Sequence, residues 1–138
     1  MNVINGVLYA CAGDGIHGEE LWRTEGTAET TYVIDLNPGP ADSFPGWMTE
    51  VEDGFLLRAS DFSHGAELWK SDGTLEGSRL VKDIETRGSQ SGSPSQLHAF
   101  RDQVYFTADD GLHGRELWRS DGTASGTILL KDLRPGFD

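Results

Sequence analysis

The segment His-Gly-x-Glu-Leu-Trp, followed by a Gly-Thr turn, stands three times in this chain. It reads His17-Gly18-Glu19-Glu20-Leu21-Trp22 with Gly26-Thr27, then His64-Gly65-Ala66-Glu67-Leu68-Trp69 with Gly73-Thr74, then His113-Gly114-Arg115-Glu116-Leu117-Trp118 with Gly122-Thr123. The three tryptophans fall 47 and 49 residues apart, a period that suits a four-stranded β unit rather than a helical repeat. A chain of 138 residues holds three such units, enough for one domain with a core of its own.

Each unit divides into four predicted strands. Strand a is Val3-Ile4, then Gly46 to Val51, then Ser95 to Phe100. Strand b runs from Val7 to Ala12, Phe55 to Ala59 and Val104 to Ala108. Strand c is the Glu-Leu-Trp segment, and strand d is Tyr32 to Leu36, Leu80 to Ile84 and Ile128 to Leu133. β-Branched and aromatic residues concentrate in these runs, with Gly, Asp, Ser and Pro between them. No window sustains a 3.6-residue apolar period, so little helix is expected. The a–b turns are placed at Asn5-Gly6, Asp53-Gly54 and Asp102-Gln103, the first two being dipeptides that accept the positive φ of a tight hairpin. The c–d links carry Thr24-Glu25-Gly26, Ser71-Asp72-Gly73 and Ser120-Asp121-Gly122, and the first copy is one residue shorter near Thr30. Long d–a links rich in Pro, Gly and Ser occupy 37–45 and 85–94, which leaves units at 1–36, 46–84 and 95–133. Short links within a unit and long ones between units describe an antiparallel meander repeated three times.

Glu-Leu-Trp-x-Ser-Asp-Gly-Thr, with Val81-Lys82-Asp83-Ile84 or Leu130-Lys131-Asp132-Leu133 and then Arg134-Pro135-Gly136, resembles the ELWxxDGT repeat of bacterial, mostly exported proteins. The resemblance covers all three units. It implies propeller-like β architecture and an extracellular or cell-surface location, and it implies no established activity. The first copy departs from the pattern at Thr24-Glu25, Thr30 and Ile34.

The expected fold is therefore all-β, three four-stranded meanders forming propeller blades, with a β-trefoil of the same size as the alternative. A trefoil closes on itself, whereas a propeller needs at least four blades. Three blades would leave two raw apolar faces, so the expected assembly is a homodimer joined head to tail into a six-bladed ring, with a piece of a longer repeat array as the alternative. Phe44, Trp47 and Phe137, in or beside the d–a links, are the aromatics available to such a closure.

Composition narrows the partners. With 23 acidic and 11 basic residues the formal charge is −12, a surface that repels phosphate backbones and anionic headgroups. Nucleic acid and membrane surfaces are thus poor partners, while cations, neutral sugars and basic proteins fit. The one cysteine, Cys11, equates to Arg58 and Thr107, so the repeat needs no thiol there. No stretch is apolar enough to span a bilayer. The N-terminal run Val7 to Ala12 aligns with later strands and reads as structure, not as a signal peptide.

The candidate ligand-binding residues are His17, His64 and His113 with Asp14, Asp61 and Asp110, three residues earlier in each b–c turn. In a propeller those turns and the d–a links share one rim. Metal binding needs imidazoles and carboxylates to converge, and equivalent residues on neighbouring blades sit too far apart, so no metal is assigned. Turn fixation by the same groups is the simpler reading. Calcium at the acidic loops Gly13-Asp14 and Asp109-Asp110 is the one cofactor considered, and no EF-hand alternation supports it. Glu20, Glu67 and Glu116 lie two residues before Trp22, Trp69 and Trp118, on the tryptophan side of strand c. These six read as structural, the carboxylates tied within the unit with Lys82 and Lys131 as candidate partners. Trp47, the tryptophan outside the motif, is the better surface for stacking on a sugar. No catalytic constellation is visible, because every conspicuous polar residue recurs in all three units. The expected function is a non-catalytic repeat module that self-associates and presents a loop face to an extracellular ligand, glycans included, or to an adhesion partner. The alternatives are part of a propeller-based glycan hydrolase or lyase, and a purely structural self-assembling fragment.

Overall fold

The computed structural model describes residues 1–135 and contains twelve strands and no helix among them. Gly136 and Phe137 lie outside the described residues, and with Phe137 one of the closure aromatics. Sheet 1 comprises β1 (Asn2–Ile4), β2 (Val7–Gly13), β3 (Glu19–Thr24) and β4 (Tyr32–Ile34). Sheet 2 comprises β5 (Gly46–Val51), β6 (Gly54–Asp61), β7 (Gly65–Ser71) and β8 (Arg79–Lys82). Sheet 3 comprises β9 (Ser95–Phe100), β10 (Gln103–Asp109), β11 (Arg115–Ser120) and β12 (Ile128–Lys131). Within each sheet the strands pair antiparallel in chain order, and no strand hydrogen-bonds into another sheet as a ladder, so the described strands form no closed barrel.

The sheets pack face to face, and the Leu-Trp pair of strand c explains how. Adjacent side chains on a strand point to opposite faces. Leu21 of sheet 1 packs with Ile4, Tyr9, Ile34 and Leu36 against the face of sheet 2 that carries Phe55, Leu57 and Trp69. Leu68, on the other face of sheet 2, packs with Leu56, Val81 and Ile84 against Val104, Phe106 and Trp118 of sheet 3. The leucine faces of sheets 1 and 2 thus turn toward the following sheet, and the tryptophan faces of sheets 2 and 3 toward the preceding one. Sheet 2 is buried on both sides, and β7 from Ala66 to Ser71 is buried at every residue.

Trp69 and Trp118 are buried, but Trp22 is only partly buried, because no preceding sheet covers its face within this chain. Leu117 is likewise partly buried where Leu21 and Leu68 are fully enclosed. Sheets 2 and 3 approach most closely along their first strands, β5 against β9, where the Thr49 hydroxyl donates to the Leu97 carbonyl at 2.9 Å.

Three local boundaries differ from the sequence reading. The third a–b turn is Arg101-Asp102, one residue earlier than expected, with both residues at positive φ (50° and 61°) and Gln103 already paired to Phe100. Inward-facing Val104 and Phe106 fix that register, since a one-residue slip would turn both outward. The second turn is Glu52-Asp53, and Gly54, at a φ of 137°, already pairs with Val51, its missing side chain also admitting the Ser71 carbonyl. The short first copy is also explained differently. The c–d turns are equally long, each closed by a hydroxyl pair seven residues apart: Thr24–Thr31 at 2.6 Å, Ser71–Ser78 at 2.8 Å and Ser120–Thr127 at 2.7 Å. The missing residue belongs to strand d, where sheets 2 and 3 carry a β-bulge opposite Leu68-Trp69 and Leu117-Trp118 and sheet 1 pairs without one.

Candidate functional site

Strand d ends earlier than its apolar run suggested, and the reason is the buried glutamate of strand c. Glu20 Oε2 accepts the Leu36 amide at 2.8 Å and the Ser43 hydroxyl at 2.6 Å. Glu67 accepts the Ile84 amide at 3.0 Å, the Glu85 amide at 3.4 Å and the Gly92 amide at 2.6 Å. Glu116 accepts the Leu133 amide at 2.8 Å. The carboxylate therefore takes amides that would otherwise continue the ladder, and it pulls the d–a link across the end of its own sheet. Lys82 and Lys131 are not the partners shown for these glutamates, and the Lys82 ammonium points instead to the Ala124 carbonyl at 3.4 Å. Burial raises the Glu20 carboxyl, opposed by the Ser43 hydroxyl and the Leu36 amide. Burial pushes Glu67 up to about 7 against three backbone donors. These carboxylates belong to three different sheets and face link amides, not a common cleft.

The d–a links also stitch successive sheets together on the side of the b–c turns. The Ser43 amide donates to the Glu19 carbonyl at 3.0 Å, and its own carbonyl accepts the Ser60 amide of sheet 2 at 2.7 Å. At the second seam the Ser93 amide donates to Ala66 at 2.9 Å, and the Gly92 carbonyl accepts the Asp109 amide at 2.9 Å. The b–c turns and the d–a links consequently form one edge of the stack, as the sequence reading placed them.

On that edge each Asp-x-x-His closes a compact turn. Asp14 Oδ1 accepts the amides of Ile16 and His17 at 2.8 and 2.9 Å, and Oδ2 meets His17 Nδ1 at 2.6 Å. Asp61 does the same for Ser63 and His64 at 2.8 and 2.6 Å, with His64 Nδ1 at 2.8 Å from Oδ2. Asp110 takes Leu112 and His113 at 2.9 and 2.8 Å, with His113 Nδ1 at 2.7 Å. Short acidic side chains favour this local bonding because their oxygens reach amides two and three residues on. The His17 amide and ring, with the Ile16 amide, hold the Asp14 carboxyl down at about 2. At Asp110 burial pushes upward, but the bonds from His113 and Leu112 outweigh it and the carboxyl is lowered. The aspartate bonds raise His17 and His64 above their ordinary values. The histidine side chains keep 34%, 37% and 41% of their surface exposed, so each turn is a rigid mount for an accessible imidazole.

Among the described residues no three or more His, Cys, Asp or Glu side chains gather as a metal site would. The acidic loops weighed for calcium spend their carboxylates locally, Asp14 and Asp110 as above and Asp109 on the Gly111 amide at 2.8 Å. Trp47 is 48% exposed at a bulge of β5, with φ at 53°. Its equivalent Gln96 has φ 57° and is also exposed, so the outward throw belongs to the repeat while the aromatic side chain belongs to sheet 2 alone.

One feature was not read from the sequence. At the first seam Tyr9 reaches across to Phe55, ring centroids 4.6 Å apart, and its hydroxyl fills the space over Gly73. At the second seam Leu56 stands in Tyr9's place, and a cleft of about 860 Å³ opens beside Lys70, Asp53, Val104 and Asp121. Lys70 is buried there and pairs with Asp53 at 2.5 Å. The substitution of leucine for tyrosine at equivalent positions was the available signal. No family model, curated protein or solved structure matches this chain.

Proposed function

We propose that this chain is a non-catalytic, propeller-type repeat module of the ELWxxDGT kind, and that its turn-and-link edge meets an extracellular ligand, a glycan or an adhesion partner. The observation that carries the reading is the threefold mount: three Asp–His turns on one edge, each with a bonded aspartate and an accessible imidazole. Repeated, equivalent hydrogen-bonding groups suit a repeated ligand such as a polysaccharide, because modest contacts at several sites multiply through effective concentration. The formal charge of −12 favours neutral or cationic ligands over nucleic acid. The convergence of sheets 2 and 3 along their first strands, with no ladder between any of the described sheets, favours propeller blades over a trefoil.

The test is a binding screen on neutral polysaccharides immobilised on beads, with the native chain beside a His17→Ala, His64→Ala, His113→Ala triple variant. Retention of the native chain and loss of at least tenfold in the variant, with melting temperature shifted by only a few degrees, supports the proposal. Equal retention by both proteins, or no retention by either, removes the rim from consideration. A second reading, a structural self-assembling module without a ligand, is favoured by the two uncovered sheet faces.

A further inference from the structure

Building on the stacked-repeat half of the function proposed above, we infer that the open tryptophan face of sheet 1 in one copy docks on the open leucine face of sheet 3 in a second copy, and that two such junctions close a six-sheet ring. The template for this junction is present twice inside the chain. Both internal seams join a leucine face to the next tryptophan face with equivalent residues. The two faces left over are the two halves of a third seam.

The uncovered face of sheet 3 carries Phe100, Tyr105, Leu117, Leu130 and Leu133, the equivalents of Val51, Leu56, Leu68, Val81 and Ile84 in the second seam. Leu130 is 42% and Leu133 59% exposed, where Val81 and Ile84 are 6% and 4%. The uncovered face of sheet 1 carries Met1, Val3, Leu8, Ala10, Ala12 and Trp22. Met1 is 92% exposed while its equivalents Met48 and Leu97 are 9% and 5%. The same face of sheet 3 also carries Thr107 and Arg119, the equivalents of Arg58 and Lys70 at the second seam, so the exposed apolar residues on both faces mark an interaction surface of the same mixed character as that seam.

Three features select a second copy as the occupant. The first is size. Sheet 3 offers larger groups than the middle sheet does, Phe100 and Tyr105 in place of Val51 and Leu56. Sheet 1 offers smaller ones, Leu8 and Ala10 in place of Phe55 and Leu57. Large against small preserves the volume of a packed seam. The second is the c–d glycine. Tyr9 covers Gly73, and Lys70 lies 3.5 Å from where a side chain at Gly122 would begin, but nothing lies within 4 Å of that point at Gly26. Tyr105, the equivalent of Tyr9, is placed to cover Gly26 of the partner copy. The third is polarity: the two open faces differ, so pairing is heterologous, and a heterologous contact closes a ring when the rotation allows it.

Two substitutions on surface-accessible positions test the pairing by light scattering after size exclusion. Ala10→Arg places a charge on the tryptophan face of sheet 1, and Leu130→Arg places one on the leucine face of sheet 3. The native chain is expected at twice the chain mass over a dilution series, and each variant at the monomer mass with an unchanged circular dichroism spectrum. An equimolar mixture of the two variants retains one intact junction and is expected to return to a 1:1 complex. Val3→Arg and Leu133→Arg, at still more exposed positions, replace either variant that fails to fold. A monomeric native chain overturns the inference. So does a dimer that only one of the two substitutions dissociates, since that is the signature of a face pairing with itself. A native mass above two chains overturns the two-chain ring. Failure of polysaccharide binding with the native mass at two chains would count against the rim alone, which keeps the two proposals separable.

Discussion

The Asp61 side chain draws two backbone amides and one imidazole into a single turn, whereas the His64 side chain contributes only its ring, since its amide would remain in any replacement. The division of labour was half legible in the sequence. The spacing of three residues and the threefold recurrence identified the pair, but which member carries the turn depends on amide directions that no spacing reports. Asp61→Ala is expected to cost about 0.5–2 kcal/mol, as loss of a comparable capping side chain does, and His64→Ala to stay within about 0.5 kcal/mol. Chemical denaturation of the two single variants checks the order. If His64→Ala proves the more damaging, the imidazole is structural and the ligand role loses its basis. The raised value of His17 and His64 adds a sign. Stability from the Asp–His bonds is complete below the ordinary histidine pKa of 6.5 and is lost as pH rises through the higher folded value, a titration that proton NMR of the imidazoles reads directly.

At the scale of the element, the glutamate of strand c determines where strand d stops and where the next link begins. Sequence reasoning found Glu67 and its inward direction from alternation, yet assigned it a lysine, because opposite charge is the partner visible in one dimension. The partners are the amides of Ile84, Glu85 and Gly92, which only a folded link can present. Both oxygens of Glu67 act as acceptors, so Glu67→Gln sets an NH₂ group against a backbone donor and is expected to cost about 1–3 kcal/mol. The pH dependence follows from burial. With the carboxyl at about 7 against an ordinary 4.5, the folded chain keeps a proton that the unfolded chain releases. The stability contributed by that proton is complete below 4.5 and is lost as pH rises through about 7, a change of about 3 kcal/mol at most. Thermal melts from pH 5 to 8 should show the decline in the native chain and a flatter profile in Glu67→Gln. An equally steep decline in the variant would place the titrating group elsewhere. The strand d bulge belongs to this scale too. A one-residue length difference was visible, but its position was not, because the turn and the strand absorb an extra residue equally well in an alignment by eye.

At the scale of the whole molecule, one motif leucine occupies two environments. Leu21 and Leu68 are fully enclosed between sheets, while Leu117 lies on the uncovered face. Leu68→Ala should cost about 2–5 kcal/mol, and Leu117→Ala clearly less in a dissociated chain. Equal losses measured in a monomeric background would contradict the stacking order. Acid limits the other end of the pH profile: the lowered Asp14, Asp72, Asp110 and Asp121 carboxyls give stability that is present above 3.8 and lost as pH falls through their folded values. The strand pattern, the repeat length and the face-specific Leu-Trp pair were all readable because periodicity survives in one dimension. The order in which faces meet was not, because it depends on sheet-to-sheet contacts between residues far apart in the chain.

The directional stacking has an evolutionary consequence. Sheet 2 meets its successor by one face and its predecessor by the other, so a unit added to such a stack finds both of its interfaces already specified. Tandem duplication of a single unit can lengthen such a chain without inventing a contact, and divergence is then free to act on individual seams. The two seams already differ within this chain, with a tyrosine crossing one and a leucine in its place at the other, beside a cleft, while the order of the faces is the same at both.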